Sequence, residues 1–283
     1  MEQADDLRPD VVESVEPKRT QVRFPQCEAV PGTALRPGWS CGWAHRSLLD
    51  LALPDVQTLI DLHAQMTGTG PGWRPREVQV LSRSAIVLAC AYWEAFCEDL
   101  IAEALNHFAK HAKTAAHLPN VLKGTIGKSL DANKHELAMW AIADDGWRDV
   151  LRARAVKFRD DADRSLNSPK TREVKSFFER ELGLEDVTKT WSWSNNPVTH
   201  TTARLDNFVA LRGTIAHRGA PNSGVQKSNA TQNVDLVRRL GSATAHEVNI
   251  FVYKHTGKAF QSYAKDVPDF VTTERPKPGG ATP

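Results

Sequence analysis

Long apolar runs are missing from this chain of 283 residues. None approaches the roughly 18 to 20 residues that a bilayer crossing demands, and residues Met1 to Asp6 are acidic where a secretory leader begins cationic and turns apolar. The expectation is a cytoplasmic protein with no membrane partner. Cysteine is scarce as well: four in a chain of this length cannot build a disulfide scaffold. Cys90 and Cys97, seven apart in a helical pattern, read as buried thiols rather than a bridge. A dominant charge is also lacking, since 36 Lys+Arg against 34 Asp+Glu leave a net of +2, so the total points to no strongly charged partner. Strand-length alternation does not recur, no repeat is visible, and no Gly-rich phosphate loop follows a strand. What remains is an all-α fold, read as one bundle with long helices.

Residues 1–43 contain Pro9, Pro17, Pro25, Pro31 and Pro37 with little periodic hydrophobicity, and their charge turns from acidic to basic, which reads as an irregular N-terminal arm. A helical domain then covers 44–265. Its apolar spacing predicts helices over Ala44–Met66, with Pro54 as a break, and over Glu77–Lys110, the strongest element, roughly 50 Å long at helical rise. Further helices are predicted over Asp131–Ala143, Trp147–Phe158, Thr171–Leu182 with Gly183 as its cap, Ala203–Arg218 and Asn233–Tyr263. A turn-rich segment, Gly219–Gly224, separates the last two. The tail, 266–283, rich in proline and glycine, reads as disordered.

Two charges fall on apolar faces. On a helical wheel Leu205, Phe208, Val209, Ile215 and Ala216 lie within about 60° of Arg212, and Val87, Cys90, Cys97, Ile101 and Leu105 lie within about 60° of Glu94. Tyr92, Asp99 and Glu103 fall on the side opposite Glu94. Two unpaired buried charges would each cost several kcal/mol, so the wheels suggest that Glu94 holds Arg212 in a charge-assisted pair. The same wheels allow a plain ion pair that only fixes helix register. Five residues after Arg212 comes His217, on the side shared by Asp206, Ala210 and Thr214 and next to the helix end. Imidazole is the unperturbed side chain that both takes and gives a proton near neutral pH.

The segment Leu211-Arg-Gly-Thr-Ile-Ala-His-Arg-Gly219 resembles the Arg-x(4–6)-His motif of the HEPN superfamily, all-α domains that include many metal-independent endoribonucleases. Ala91-Tyr-Trp-Glu-Ala-Phe-Cys-Glu-Asp-Leu100 resembles the acidic first bundle helix, and Leu166 to Trp191 resembles the middle of the RiboL-PSP-HEPN branch. The resemblance implies a homodimer in which two copies of the motif face each other across one cleft. Arg212 then binds or polarises the scissile phosphate of RNA, and His217 acts as general acid or base on the ribose oxygens. Glu94, Arg218 and Thr214 are the supporting residues, no metal or cofactor is called for, and a bacterial defence or toxin role, with an antitoxin or regulatory protein as a further partner, comes with the family. Many members carry a polar residue after the motif arginine where this chain has Gly213. The family also contains non-catalytic modules that bind RNA, a nucleotide or a regulatory protein.

Other constellations are thinner. Cys27, Cys41 and His45 lack a Cys-x2-Cys knuckle and a fourth zinc ligand. His107 and His111 stand four apart without a His-Glu-x-x-His pattern, and a solvated helix face is the expectation for them. Basic charge is local: Arg148–Arg180 and Arg204–Arg239 each carry an excess of +4, whereas the first 16 residues hold six Asp/Glu against one Arg. The remainder of the chain is therefore +7, which admits a phosphate-tracking surface that the total conceals.

Overall fold

The computed structural model describes residues 42–67, 78–132, 137–159, 166, 168–193, 196–218 and 225–260. The predicted arm up to residue 41, the Gly219–Gly224 turn and the tail lie outside the described residues. Among the described residues eight α-helices follow one another: α1 (Gly42–Arg46), α2 (Leu53–Thr67), α3 (Gln79–His111), α4 (Asn120–Ala132), α5 (Gly146–Arg159), α6 (Thr171–Leu182), α7 (Val198–Arg218) and α8 (Lys227–Thr256). Among the described residues there is no strand, only an isolated bridge between Trp193 and Asn196. The all-α reading holds. No described helix is long and apolar enough to cross a membrane.

The 33-residue α3 is the spine, and α1, α2, α5, α6, α7 and α8 all pack against it. Burial follows from that position rather than from a single apolar stripe: Ile86, Trp93, Leu100, Ile101, Leu105 and Phe108 on α3 are all closed to solvent. Trp93 meets Trp191 edge to face at 6.0 Å, and its indole N–H donates to the Pro169 carbonyl at 3.1 Å. Trp191 donates in turn to Thr244 Oγ1 at 3.0 Å, so two large aromatics are buried with their polar atoms satisfied.

Several boundaries differ from the sequence-based expectation for local reasons. Pro54 does not break the first helix. A π-helical stretch, Ser47–Ala52, joins α1 to α2 and widens the helix just before the proline, whose ring and missing N–H disfavour the Asp50 carbonyl of a regular turn. The helix expected over Asp131–Ala143 is instead the end of α4 at Ala132 and a 3₁₀ turn over Ala138–Ile142. Most of α4 was not expected at all, because Gly124 and Gly127 weaken its helical signal. Helix α8 stops at Thr256, not Tyr263, because Gly257 adopts φ +71° and its N–H closes on the Tyr253 carbonyl. Phe260 then folds back into the core, donating its N–H to Asn249 Oδ1 at 2.7 Å.

Two surface expectations are corrected by the central position of α3. His107 is buried, not part of a solvated face: its Nε2 lies 2.8 Å from the Lys258 carbonyl and its ring packs on Phe260. Glu103 is buried as well, because α1 covers the side of α3 opposite Glu94.

Candidate functional site

Helix α7 is anchored before it reaches the motif. Asp206 accepts the Thr171 N–H at the start of α6 at 2.8 Å, the Thr171 hydroxyl donates to the Thr202 carbonyl, and Arg204 donates to the Gln232 carbonyl near the start of α8. Thr201, Leu205 and Phe208 face the core and are shut off from solvent. The last turns of α7, which carry the motif, are held by this seat.

Arg212 is half-buried and directed from the core-facing stripe, and its Nε is buried without a hydrogen-bond partner. Glu94, also half-buried, stands on α3, against which α7 packs. Both charges bear on one atom. Burial pushes the Cys90 thiol up to about 11, Arg212 draws it down and Glu94 pushes it up again. The buried Cys97 thiol is pushed up further, so neither cysteine offers a thiolate for chemistry.

His217 is exposed and is the next-to-last residue of α7. Thr214 is half-buried, and its hydroxyl donates to the Ala210 carbonyl at 3.1 Å, which leaves its oxygen able to accept. The side chain of Arg218 lies outside the described residues. Gly213 is helical, and a Cβ built on it meets no atom within 4 Å. Ala216 is exposed although it shares the stripe of Leu205 and Phe208. A wheel could not reveal that, because it assumes a core extending as far as the helix does.

Five of the ten Lys/Arg over 148–180 make ion pairs: Arg148–Asp145 at 2.7 Å, Arg152–Asp149 at 2.6 Å, Lys175–Asp186 at 3.0 Å, and Arg154 and Arg180 both on Glu181, at 2.8 and 2.9 Å. Arg148 also donates to the Ala109 and Ala112 carbonyls at the end of α3. Of these, Arg154 joins α5 to α6 and Arg148 joins α5 to the end of α3, whereas the others pair within their own helix or with the segment beside it.

Among the described residues no group of three His, Cys, Asp or Glu is placed to hold a metal. Cys27 and Cys41 of the considered zinc set lie outside the described residues, and His45 is buried with its Nε2 2.9 Å from Ser242 Oγ. His107 and His111 stack at 4.6 Å between ring centroids.

No curated protein and no solved structure matches the chain. Comparison with protein-family models matches RiboL-PSP-HEPN over residues 52–249, a span that runs from the beginning of α2 into α8 and contains Glu94, Arg212 and His217. A match over more than two thirds of the chain, on an all-helical bundle, places the protein in the RiboL-PSP-HEPN family.

Proposed function

We propose that this protein is a metal-independent RNA endonuclease acting as a homodimer, with Arg212 and His217 as its catalytic residues. The observation that carries the reading is the end of α7, where a guanidinium with an unpartnered Nε and an exposed imidazole share one helix. A ribose 2′-hydroxyl is an internal nucleophile, so cleavage needs only proton transfer and charge stabilisation. The 2′-oxygen attacks phosphorus, the bond to the 5′-oxygen breaks, and a 2′,3′-cyclic phosphate and a 5′-hydroxyl result. His217 takes the 2′ proton or supplies the one that the 5′-oxygen acquires, the motif of the second copy serving the other transfer. Arg212 neutralises charge on the non-bridging oxygens. Glu94, on the helix against which α7 packs, orients Arg212, and Thr214 and Arg218 support the phosphate. DNA, which lacks the 2′-hydroxyl, is not a substrate.

A toxin or defence role in the cytoplasm, restrained by an antitoxin or another regulatory protein, is the biological setting that the family suggests. Gly213 favours one competing reading, a non-catalytic module that binds RNA, a nucleotide or a regulatory protein, because the polar residue that many members carry there is missing. The deciding experiment incubates purified protein with single-stranded RNA in the presence of EDTA. Cleavage that persists under chelation and is lost in His217→Ala supports the nuclease. Binding without product supports the module, and cleavage unaffected by His217→Ala sinks the mechanism.

A further inference from the structure

A cavity of about 230 Å³ lies at the beginning of the bundle, walled on one side by α1, the π-helical stretch and the first turn of α2, and on the other by α3. Leu48, Leu51 and Phe96 give it an apolar floor, and Asp55, Tyr92 and Asp99 stand at its rim. Two of its lining residues are acids and none is a base. The Tyr92 hydroxyl donates to Asp55 Oδ2 at 3.0 Å, which fixes that carboxylate at the wall. Leu51 is 60% exposed although it lines the cavity. Small-molecule sites begin at roughly 300 Å³, so this volume suits one large side chain better than a cofactor. Leu48 and Leu51 also precede residue 52, where the family match begins, and the cavity is therefore built in part outside it.

We propose that this cavity is the docking site of the chain's own segment Arg36-Pro-Gly-Trp39, with the Trp39 indole on the apolar floor and the Arg36 guanidinium on the acidic rim. Charge is complementary: from Lys18 to Cys41 there are four Lys/Arg against one Asp/Glu. Reach agrees as well. Gly42 lies against Glu103, and at 1.5 Å per residue Asp99 is about 6 Å, Phe96 about 10 Å and Tyr92 about 16 Å back along α3. Extended chain at about 3.4 Å per residue carries Trp39 about 10 Å and Arg36 about 20 Å from Gly42. The φ of +73° at Gly42 is a turn conformation, so the residues before it need not continue the line of α1. Arg36 precedes a proline, which biases it toward extended backbone. Tethering selects this occupant over a separate peptide: three to six residues from the cavity, the segment has an effective concentration on the order of millimolar. One aromatic and one charge-assisted contact then suffice, whereas a stable interface with a second copy or another protein needs about 800 Å² on each partner.

Amide hydrogen exchange of the full chain, read at residues 33–41, tests this. The variants are Trp39→Ala, Ala95→Trp, which fills the cavity from the exposed Ala95 of α3, and Asp55→Lys and Arg36→Glu, alone and combined. Ala95→Leu serves should tryptophan impair folding, which thermal unfolding monitors. In the wild type these amides are expected to exchange about tenfold or more slowly than in a free chain. Trp39→Ala, Ala95→Trp and each single charge variant bring them toward the free-chain rate, and combining the two charge reversals restores protection. Free-chain exchange in the wild type overturns the docking, as does protection that Ala95→Trp and Asp55→Lys leave unchanged. Protection that disappears on dilution, in step with dissociation seen by sedimentation, assigns the cavity to a second copy and overturns it too. No outcome depends on RNA cleavage, so the docking stands or falls apart from the nuclease reading.

Discussion

The carboxylate of Glu103, in the second half of α3, accepts the main-chain N–H of Trp43 at 2.8 Å, and its other oxygen accepts that of Ala44 at 3.0 Å. The beginning of the described bundle is thus tied to its spine by one buried acid. Gly42 makes the approach possible: its φ is +73°, and a Cβ there would stand 2.5 Å from Glu103 Oε1. Gly42→Ala is expected to destabilise the protein by more than the roughly 1 to 2 kcal/mol of left-handed strain alone, because the carboxylate must also move. Chemical denaturation measures it, and a loss below that strain shows that the contact relaxes freely.

Glu103 and His107, one turn apart, respond to pH in opposite directions. Burial pushes Glu103 up to about 7, against the pull of the Trp43 and Ala44 N–H groups. Burial pushes His107 down to about 4, against the Lys258 carbonyl. Between the ordinary carboxylate range and pH 7 the folded chain keeps a proton on Glu103 that the unfolded chain releases, so this residue lowers stability as pH rises. Between pH 4 and the ordinary histidine range the unfolded chain takes a proton that His107 refuses, so that residue raises stability as pH rises. The two offset each other in the wild type. In Glu103→Gln only the histidine remains, and unfolding free energy is expected to climb by up to about 3 kcal/mol from pH 4.5 to 6.5 relative to the wild-type profile. Parallel profiles for the two proteins would contradict the opposed shifts.

His217→Ala removes an exposed side chain. Its effect on stability is expected within about 0.5 kcal/mol, whereas the rate of RNA cleavage falls about 10²- to 10⁴-fold if the imidazole transfers a proton. Single-turnover assays paired with thermal unfolding separate these quantities, and a rate loss explained by unfolding counts against the catalytic role.

Gly213→Ala isolates helix propensity from function. The open space at its Cβ predicts a gain of about 1 kcal/mol in stability. A loss, read from urea denaturation, would mean that neighbouring chain does occupy that space.

Arg148 and Arg152, one turn apart on α5, are expected to differ sharply. Arg148→Ala leaves the Ala109 and Ala112 carbonyls without their donor and should cost roughly 1 to 3 kcal/mol. Arg152 makes only an exposed pair with Asp149, and its removal should cost about 0.5 kcal/mol or less. Equal losses in denaturation would refute this division between tie and ornament.

Local pattern was enough to read the helices with strong amphipathic spacing and clean ends. Helix α6, Thr171–Leu182, is found with its predicted bounds because Gly183 takes φ +81° and caps it. Where local signals conflict, packing decides. Gly124 and Gly127 hid α4, and the π-helical stretch before Pro54 let a helix continue where the proline suggested a break.

The sequence by itself determined the helical class, the family resemblance and the order in which Arg212, Gly213 and His217 follow one another, since these depend on residue type and short-range spacing. Tertiary structure alone decided which charges are neutralised. Within the basic run over 148–180, Arg154 is tied down by Glu181, 27 residues further on, while the Arg212 Nε is left without a hydrogen-bond partner. It also decided that Ala216 is exposed on a stripe that is buried two turns earlier. A helical wheel gives direction but not the extent of the neighbouring core, and the candidate site lies where that core ends.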